Sequence, residues 1–434
     1  MKVTPNNRDL NNLFHKNPEY VNNEYVVQAK VKETPLFLDP CIQWNNELLE
    51  FIKAQLVTIV TPNSFDNITN SIKKDTIEIL QSTYENWRAL QSSNDIIIDW
   101  IEYDVILKWI WSTTYARNTW AINPWMKRDN YKMEESEKEW LEKFAFYDNY
   151  WSYSKEQALQ ELWRSKMLSK IWVDTEKVLW IYELDEVLWE NWDYISINEL
   201  ENQWIITNWM QPVILIRAHK TNLRLLDPIM MDQYKCNDSI QQVMDTILSN
   251  ANLHWGVENI DNYLQKLFEK IITNRLDLAW SFSTLNWEKW QDICRNITLY
   301  WEEIDLWQMI PMTDDWSYTN PNYILDQHSY ALNSVFIWLK ELISVIEKHT
   351  SYQINHEQLS EIIYDIILKW IRSNVKNQQE HYNKYWWDRW YTYNWFNEYI
   401  SILFKKCFSS FLDYIPQQKY QEILKEKLEK KIKN

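Results

Sequence analysis

The fold turns on the stretch "ILKWIWSTTYAR", residues 106–117. It begins inside an alternating run, Tyr103-Asp-Val-Ile-Leu-Lys108, apolar at 103, 105 and 107, which predicts a strand that ends on a lysine. A lysine leaving a buried strand can reach into a cleft and neutralise phosphate oxygens. A backbone that comes close to phosphate carries no bulk at its turns. Trp109 and Trp111 therefore stand where two indoles would block such a site.

The same conflict runs through the chain. It has 434 residues with 29 Trp and 1 Gly, whereas glycine usually makes up about 7% of a protein. Asn86-Trp87, Asn191-Trp192 and Asp315-Trp316 read as Asn-Gly or Asp-Gly turns with Trp in the glycine slot. "YWWDRWYTYNWF" at 385–396 would be a large exposed aromatic patch as written, and an ordinary loop with glycines in it. The pattern fits a variant code in which a stop codon means glycine and Trp has been written in its place. Some Trp would remain genuine, Trp125 and Trp290 among the plausible cases.

Charge weighs on several function classes. The formal net charge is -16, which argues against a nucleic-acid binder and against docking on anionic membrane, both of which need a basic face. No apolar run reaches the ~20 residues needed to span a bilayer. The N-terminus, "MKVTPNNRDLNN", has no apolar core of a secretory signal. Cys41, Cys236, Cys294 and Cys407 are scattered, which suits a reducing cytoplasm. The seven histidines do not cluster, which argues against zinc.

Along the chain, 46–60 reads as a helix in an otherwise loop-rich start. Ser154 with Gln157 forms a capping-box pattern, and Leu159, Leu162, Trp163 and Met167 follow at helical spacing. Strands are predicted at 177–183 and 212–217. Helices are predicted at 239–250, 260–274, 329–347, 357–372 and 396–414, with a lysine/glutamate helix at 416–433 where Glu426 and Lys430 pair. Strands first and helices after give an α+β class, which composition alone does not narrow further.

The motifs narrow it. Lys108, Thr113, Tyr115 and Arg117 match a Leu-Lys-Gly-x-Gly-x-Thr-x-Tyr-x-Arg run, with Trp109 and Trp111 on its two glycines. "ENWRA" at 85–89 stands where a Gly-Asp-Gly-Arg-Ala turn belongs. "QELWRSKMLSKIWVDTEKVLWI" at 160–181 is similar to an Arg-Glu-Phe-Leu helix followed by Leu-Gly-Ile-Pro-Thr-Thr. Arg217 and Arg224 keep a seven-residue spacing, and Tyr323 and Asp326 match a Tyr-x-x-Asp segment. In this order, over residues 84–345, the motifs resemble the selenoprotein O family. The resemblance implies a protein-kinase-like bilobal fold: an N-terminal extension at 1–83, a small sheet-containing lobe at 84–218 and a larger helical lobe at 219–434. It implies binding of ATP in a reversed pose, with Mg²⁺, and transfer of AMP to hydroxyl side chains of protein substrates. Lys108, Trp109, Trp111, Arg117, Glu161, Arg217 and Arg224 would then hold the nucleotide. Glu161 would orient Lys108, and the three arginines would clamp phosphate bidentately. The redox Cys pair at the end of some members is absent.

The catalytic loop departs from the family. The best local match is "AWSFSTLN" (279–286) and then "LYW" (299–301), with Asn286 at a metal position. Leu285 replaces the loop aspartate and Leu299 the metal aspartate, and leucine neither accepts a proton nor binds a metal. Asp277, Glu288, Asp292, Glu302, Glu303 and Asp305 lie near enough in sequence to substitute. The competing readings are a degenerate nucleotide-binding relative without catalysis, and a structural or interaction protein with no nucleotide site.

Overall fold

The computed structural model describes residues 2–5, 21–43, 45–54, 57–60, 76–83, 89–108, 154–170, 172–188, 194–202, 211–233, 237–280, 283–285, 296–304, 306, 309–311 and 321–375. These residues form a mixed α+β chain that divides into two compact units, Met1–Ser165 with Glu176–Asn222, and Lys166–Thr175 with Leu223–Asn434.

The first unit is built on one curled antiparallel sheet of eleven strands. In chain order these are β1 (Lys2–Pro5), β2 (Val21–Gln28), β3 (Lys30–Val31), β4 (Phe37–Leu38), β5 (Val57–Val60), β6 (Thr76–Thr83), β7 (Ala89–Ile98), β8 (Ile101–Lys108), β9 (Lys177–Leu188), β10 (Tyr194–Ser196) and β11 (Val213–His219). The main path runs β10-β9-β11-β8-β7-β6-β2-β5, with β1 on β7 and both β3 and β4 on β9. Strands from the first 60 residues thus join the same sheet as the later ones. The expected helix at 46–60 stops early: a helix covers Asn46–Ala54, and the β-branched run Val57-Thr58-Ile59-Val60 pairs with β2 instead.

Alternation divides the central strands into two faces. Ile96, Val105, Leu107, Ile214 and Ile216 are buried in a core shared with Ile42, Leu48, Ile197 and Leu200. The opposite pleat carries Asp104 and Lys108 on β8, and Arg217 and His219 on β11, and it is buried as well. β7 and β8 are joined by a two-residue turn, Asp99-Trp100, closed by the Ile98↔Ile101 pair. Its φ values of 52° and 68° are those of a type I′ hairpin, the turn that favours Asp-Gly.

The helix Lys155–Lys170, here α1, begins as its sequence predicts. Ser154 N–H donates to Gln157 Oε1 at 3.1 Å and Gln157 N–H donates to Ser154 Oγ at 3.2 Å, both arms of a capping box. Its buried side is not the apolar stripe read from the sequence. Ala158, Glu161, Arg164, Ser165 and Leu168 are buried, while Leu159 and Trp163 are exposed. Glu161, on that inward side, pairs with Lys108 and Arg217. The helix ends in a Schellman arrangement: Val173 N–H donates to Leu168 O at 3.1 Å and Trp172 N–H to Ser169 O at 3.3 Å, with Trp172 at φ 67°.

The second unit is helical. Its long helices are Asn237–Trp255 (α2), Ile260–Trp280 (α3), Pro321–His349 (α4) and His356–Val375 (α5), each covering a predicted helix and extending it. Tyr263, Leu264, Leu267, Phe268 and Ile271 of α3 and Val335, Phe336, Leu339 and Leu342 of α4 supply its core. A short hairpin pairs Ser283–Leu285 with Met309–Pro311. The helices expected at 396–414 and 416–433 lie outside the described residues. No helix among the described residues is long and apolar enough to cross a membrane.

Candidate functional site

Lys108 is the last residue of β8, and its Nζ donates to Glu161 Oε2 of α1 at 2.7 Å, with both side chains almost wholly buried. The strand ends there on the polar pleat, and the inward turn of α1 brings the carboxylate to meet it. Arg217 comes from the neighbouring strand β11. Its Nη1 donates to Glu161 Oε1 at 3.2 Å and to Glu176 Oε2 at 2.5 Å. Glu176 is fixed just ahead of β9, where its carbonyl accepts the Ser165 hydroxyl at 2.6 Å. His219 Nε2 lies 3.3 Å from the same Glu176 oxygen. The structure therefore unites three of the residues singled out in the sequence, Lys108, Glu161 and Arg217.

Electrostatics make the cluster tense. Burial pushes the Glu161 carboxyl up to about 7, and the Glu176 charge adds to the rise against the pull of Lys108 and Arg217. Two carboxylates share the Arg217 guanidinium, and Lys108 takes the second oxygen of Glu161.

Glu176 and His219 were not singled out in the sequence. The signal was present: 217 and 219 are alternate positions on one strand and must share a pleat. Glu176 sits at a strand entry where nothing in composition marks it as inward.

Arg224 belongs to the second unit. Its backbone N–H donates to Asp227 Oδ2 at 2.7 Å, and it bridges to Thr298. Trp109, Trp111, Arg117 and Asn286 lie outside the described residues. Of the segment 279–286, expected as a catalytic loop, 279 and 280 end α3 and Ser283–Leu285 form a strand, while 281, 282 and 286 lie outside the described residues. Leu299 is a core residue. Its N–H donates to Leu223 O at 2.8 Å and its carbonyl accepts the Tyr263 hydroxyl at 2.7 Å.

Of the nearby carboxylates, Glu303 is bound by Arg275 Nη2 at 2.6 Å, and burial raises it to about 7. Asp277 accepts Trp370 Nε1–H at 2.7 Å, and burial raises it to about 6. Glu302 is buried, with its N–H on Thr298 Oγ1. Glu288, Asp292 and Asp305 lie outside the described residues. Among the described residues no group of three or more His, Cys, Asp or Glu side chains is arranged to hold a metal ion. No family model matches the chain, and no curated protein matches it.

Proposed function

We propose that the first unit is the small lobe of a kinase-like, bilobal nucleotide-binding protein, and that the chain transfers AMP from ATP to hydroxyl groups of protein substrates. The observation that carries this reading is the buried Lys108–Glu161 pair, a strand-end lysine held by a helix glutamate at 2.7 Å. In kinase-like sites such a pair orients the lysine toward nucleotide phosphate. Arg217 adds a second cation beside it, and guanidinium suits phosphate oxygens better than any other side chain.

In the reaction, an acceptor hydroxyl oxygen attacks the α-phosphorus. A new P–O bond forms, the α–β bridging bond breaks, pyrophosphate leaves with its electron pair, and the hydroxyl proton passes to a base. Mg²⁺ would screen the polyphosphate and hold the attacked phosphorus in line. Asn286 is the candidate metal ligand. The full chain carrying glycine at 109 and 111 should incorporate label from α-labelled ATP into protein, and not from γ-labelled ATP. Label from the γ position would instead mark a phosphate-transferring kinase.

A second reading is a relative that binds nucleotide without catalysis. It is favoured by Leu299, which the sequence resemblance aligns with the metal aspartate and which is a core residue. Under that reading ATP stabilises the fold and no label is transferred.

A further inference from the structure

Backbone angles single out two tryptophans. Among the described residues, four that are not glycine have positive φ: Asp99, Trp100, Trp172 and Trp301. In this left-handed region a β-carbon crowds the backbone. Glycine alone enters it without strain, and a bulky side chain there is an outlier. Asp99 needs no special explanation, because aspartate is among the residues that tolerate the conformation.

Trp100 holds the second place of the two-residue turn between β7 and β8, at φ 68° after Asp99 at 52°. A type I′ turn needs positive φ at both places, and Asp-Gly is one of its preferred pairs. Trp172 lies just past helix α1, at φ 67°. The bonds from Trp172 N–H to Ser169 O and from Val173 N–H to Leu168 O make it the left-handed residue of the Schellman cap, the position that glycine usually takes. The chain's one glycine, Gly256, stands in the corresponding place after α2, at φ 65° with its N–H on Asn252 O at 3.0 Å.

Backbone strain persists where the surrounding structure over-determines it. Burial does not do so at 100 and 172, where the residues are 93% and 88% exposed. Trp301 differs. It is buried, with its ring 5.2 Å from Trp255 and 6.1 Å from Tyr300, so packing stands against the strain and the angle alone assigns nothing there. Trp370 is the opposite case. It lies inside helix α5, buried, and its Nε1–H donates to Asp277 Oδ1 at 2.7 Å. Glycine there would remove that donor and weaken the helix.

We infer that positions 100 and 172 carry glycine in the protein as its own host makes it, and that position 370 carries a true tryptophan. The letter Trp thus covers two different residues in this chain. The first turn joins β7 to β8 and the second ends α1, the elements that carry Lys108 and Glu161. The inference does not depend on what those two residues bind.

Peptide mass spectrometry of the protein from that host tests it. The expected result is glycine at 100 and 172 and tryptophan at 370. Tryptophan at 100 or 172 overturns the assignment at that position, and glycine at 370 overturns the sorting. The backbone argument has its own test in the full chain with Trp at these positions. Trp100→Gly and Trp172→Gly should each melt at a higher temperature than Trp100→Ala and Trp172→Ala. Both substitutions remove the indole, and only glycine relieves the angle. At Trp370 the order should reverse. Alanine variants that melt as high as the glycine variants at 100 and 172 overturn the backbone argument.

Discussion

The two units each bury an ion cluster, and the clusters are built to different plans. In the second unit Arg275 meets Glu303 one to one at 2.6 Å, and the backbone laces the pair in place. Glu303 N–H donates to Asp174 O at 2.9 Å, and Glu303 O accepts the Thr175 hydroxyl at 3.0 Å. In the first unit Arg217 divides itself between Glu161 and Glu176, Lys108 takes the other oxygen of Glu161, and His219 stands behind Glu176. A one-to-one pair tied to backbone fixes a fold. An arginine divided between two carboxylates is held by side chains alone, which an arriving anion can redistribute. That contrast separates a structural pair from a candidate site, although both are buried and both contain an arginine.

The sharpest way to break the contrast is to remove one member from each cluster. Arg275→Ala leaves a buried carboxylate alone and should cost about 3–5 kcal/mol of stability in urea unfolding. Glu176→Gln keeps a hydrogen-bonding group, and Arg217 keeps Glu161, so its cost should be about 1 kcal/mol. Equal losses would erase the distinction.

Acidity gives the next largest effect. Burial raises Glu161 and Glu303 from 4.5 to about 7 and Asp277 from 3.8 to about 6. A carboxyl raised on folding contributes stability that is full below its unfolded value and is lost as pH rises through its folded value. The protein should therefore lose stability as pH rises from about 4 to about 7, each of these groups adding to the slope. Asp277→Asn retains an acceptor for Trp370 and should flatten the lower part of that window, from about pH 4 to 6. Thermal melts from pH 3.5 to 7.5 check both points, and an unchanged slope in the variant would remove Asp277 from the account.

The smallest effect compares two helix ends. Trp172→Gly relieves a left-handed residue and should raise stability by about 1 kcal/mol, while Gly256→Trp should lower it by a similar amount. Melting temperatures that move in the same direction would mean the two ends are not equivalent.

Much of the site was legible in the sequence because it rests on short-range rules. The alternation at 103, 105 and 107 fixes the face of Lys108, and the Ser154–Gln157 box fixes where α1 begins. The rotation of α1 was not legible: Leu159 and Trp163 looked like the packed side, yet the side that carries Glu161 and Arg164 is the buried one. Most strands of the first 100 residues were missed, because polar runs such as Val21–Gln28 and Thr76–Thr83 show no clean period. Glu176 was invisible because its role is set by cross-strand register, which only the assembled sheet defines.

The central claim is that the Lys108 cluster receives nucleotide phosphate. It is tested most directly by the thermal shift that ATP produces in the full chain with glycine at 109 and 111. The account predicts a stabilisation on the order of 2–3 kcal/mol at saturating ATP, lost in a folded Lys108→Ala variant. The same ATP shift in the Lys108→Ala variant as in its parent would contradict it.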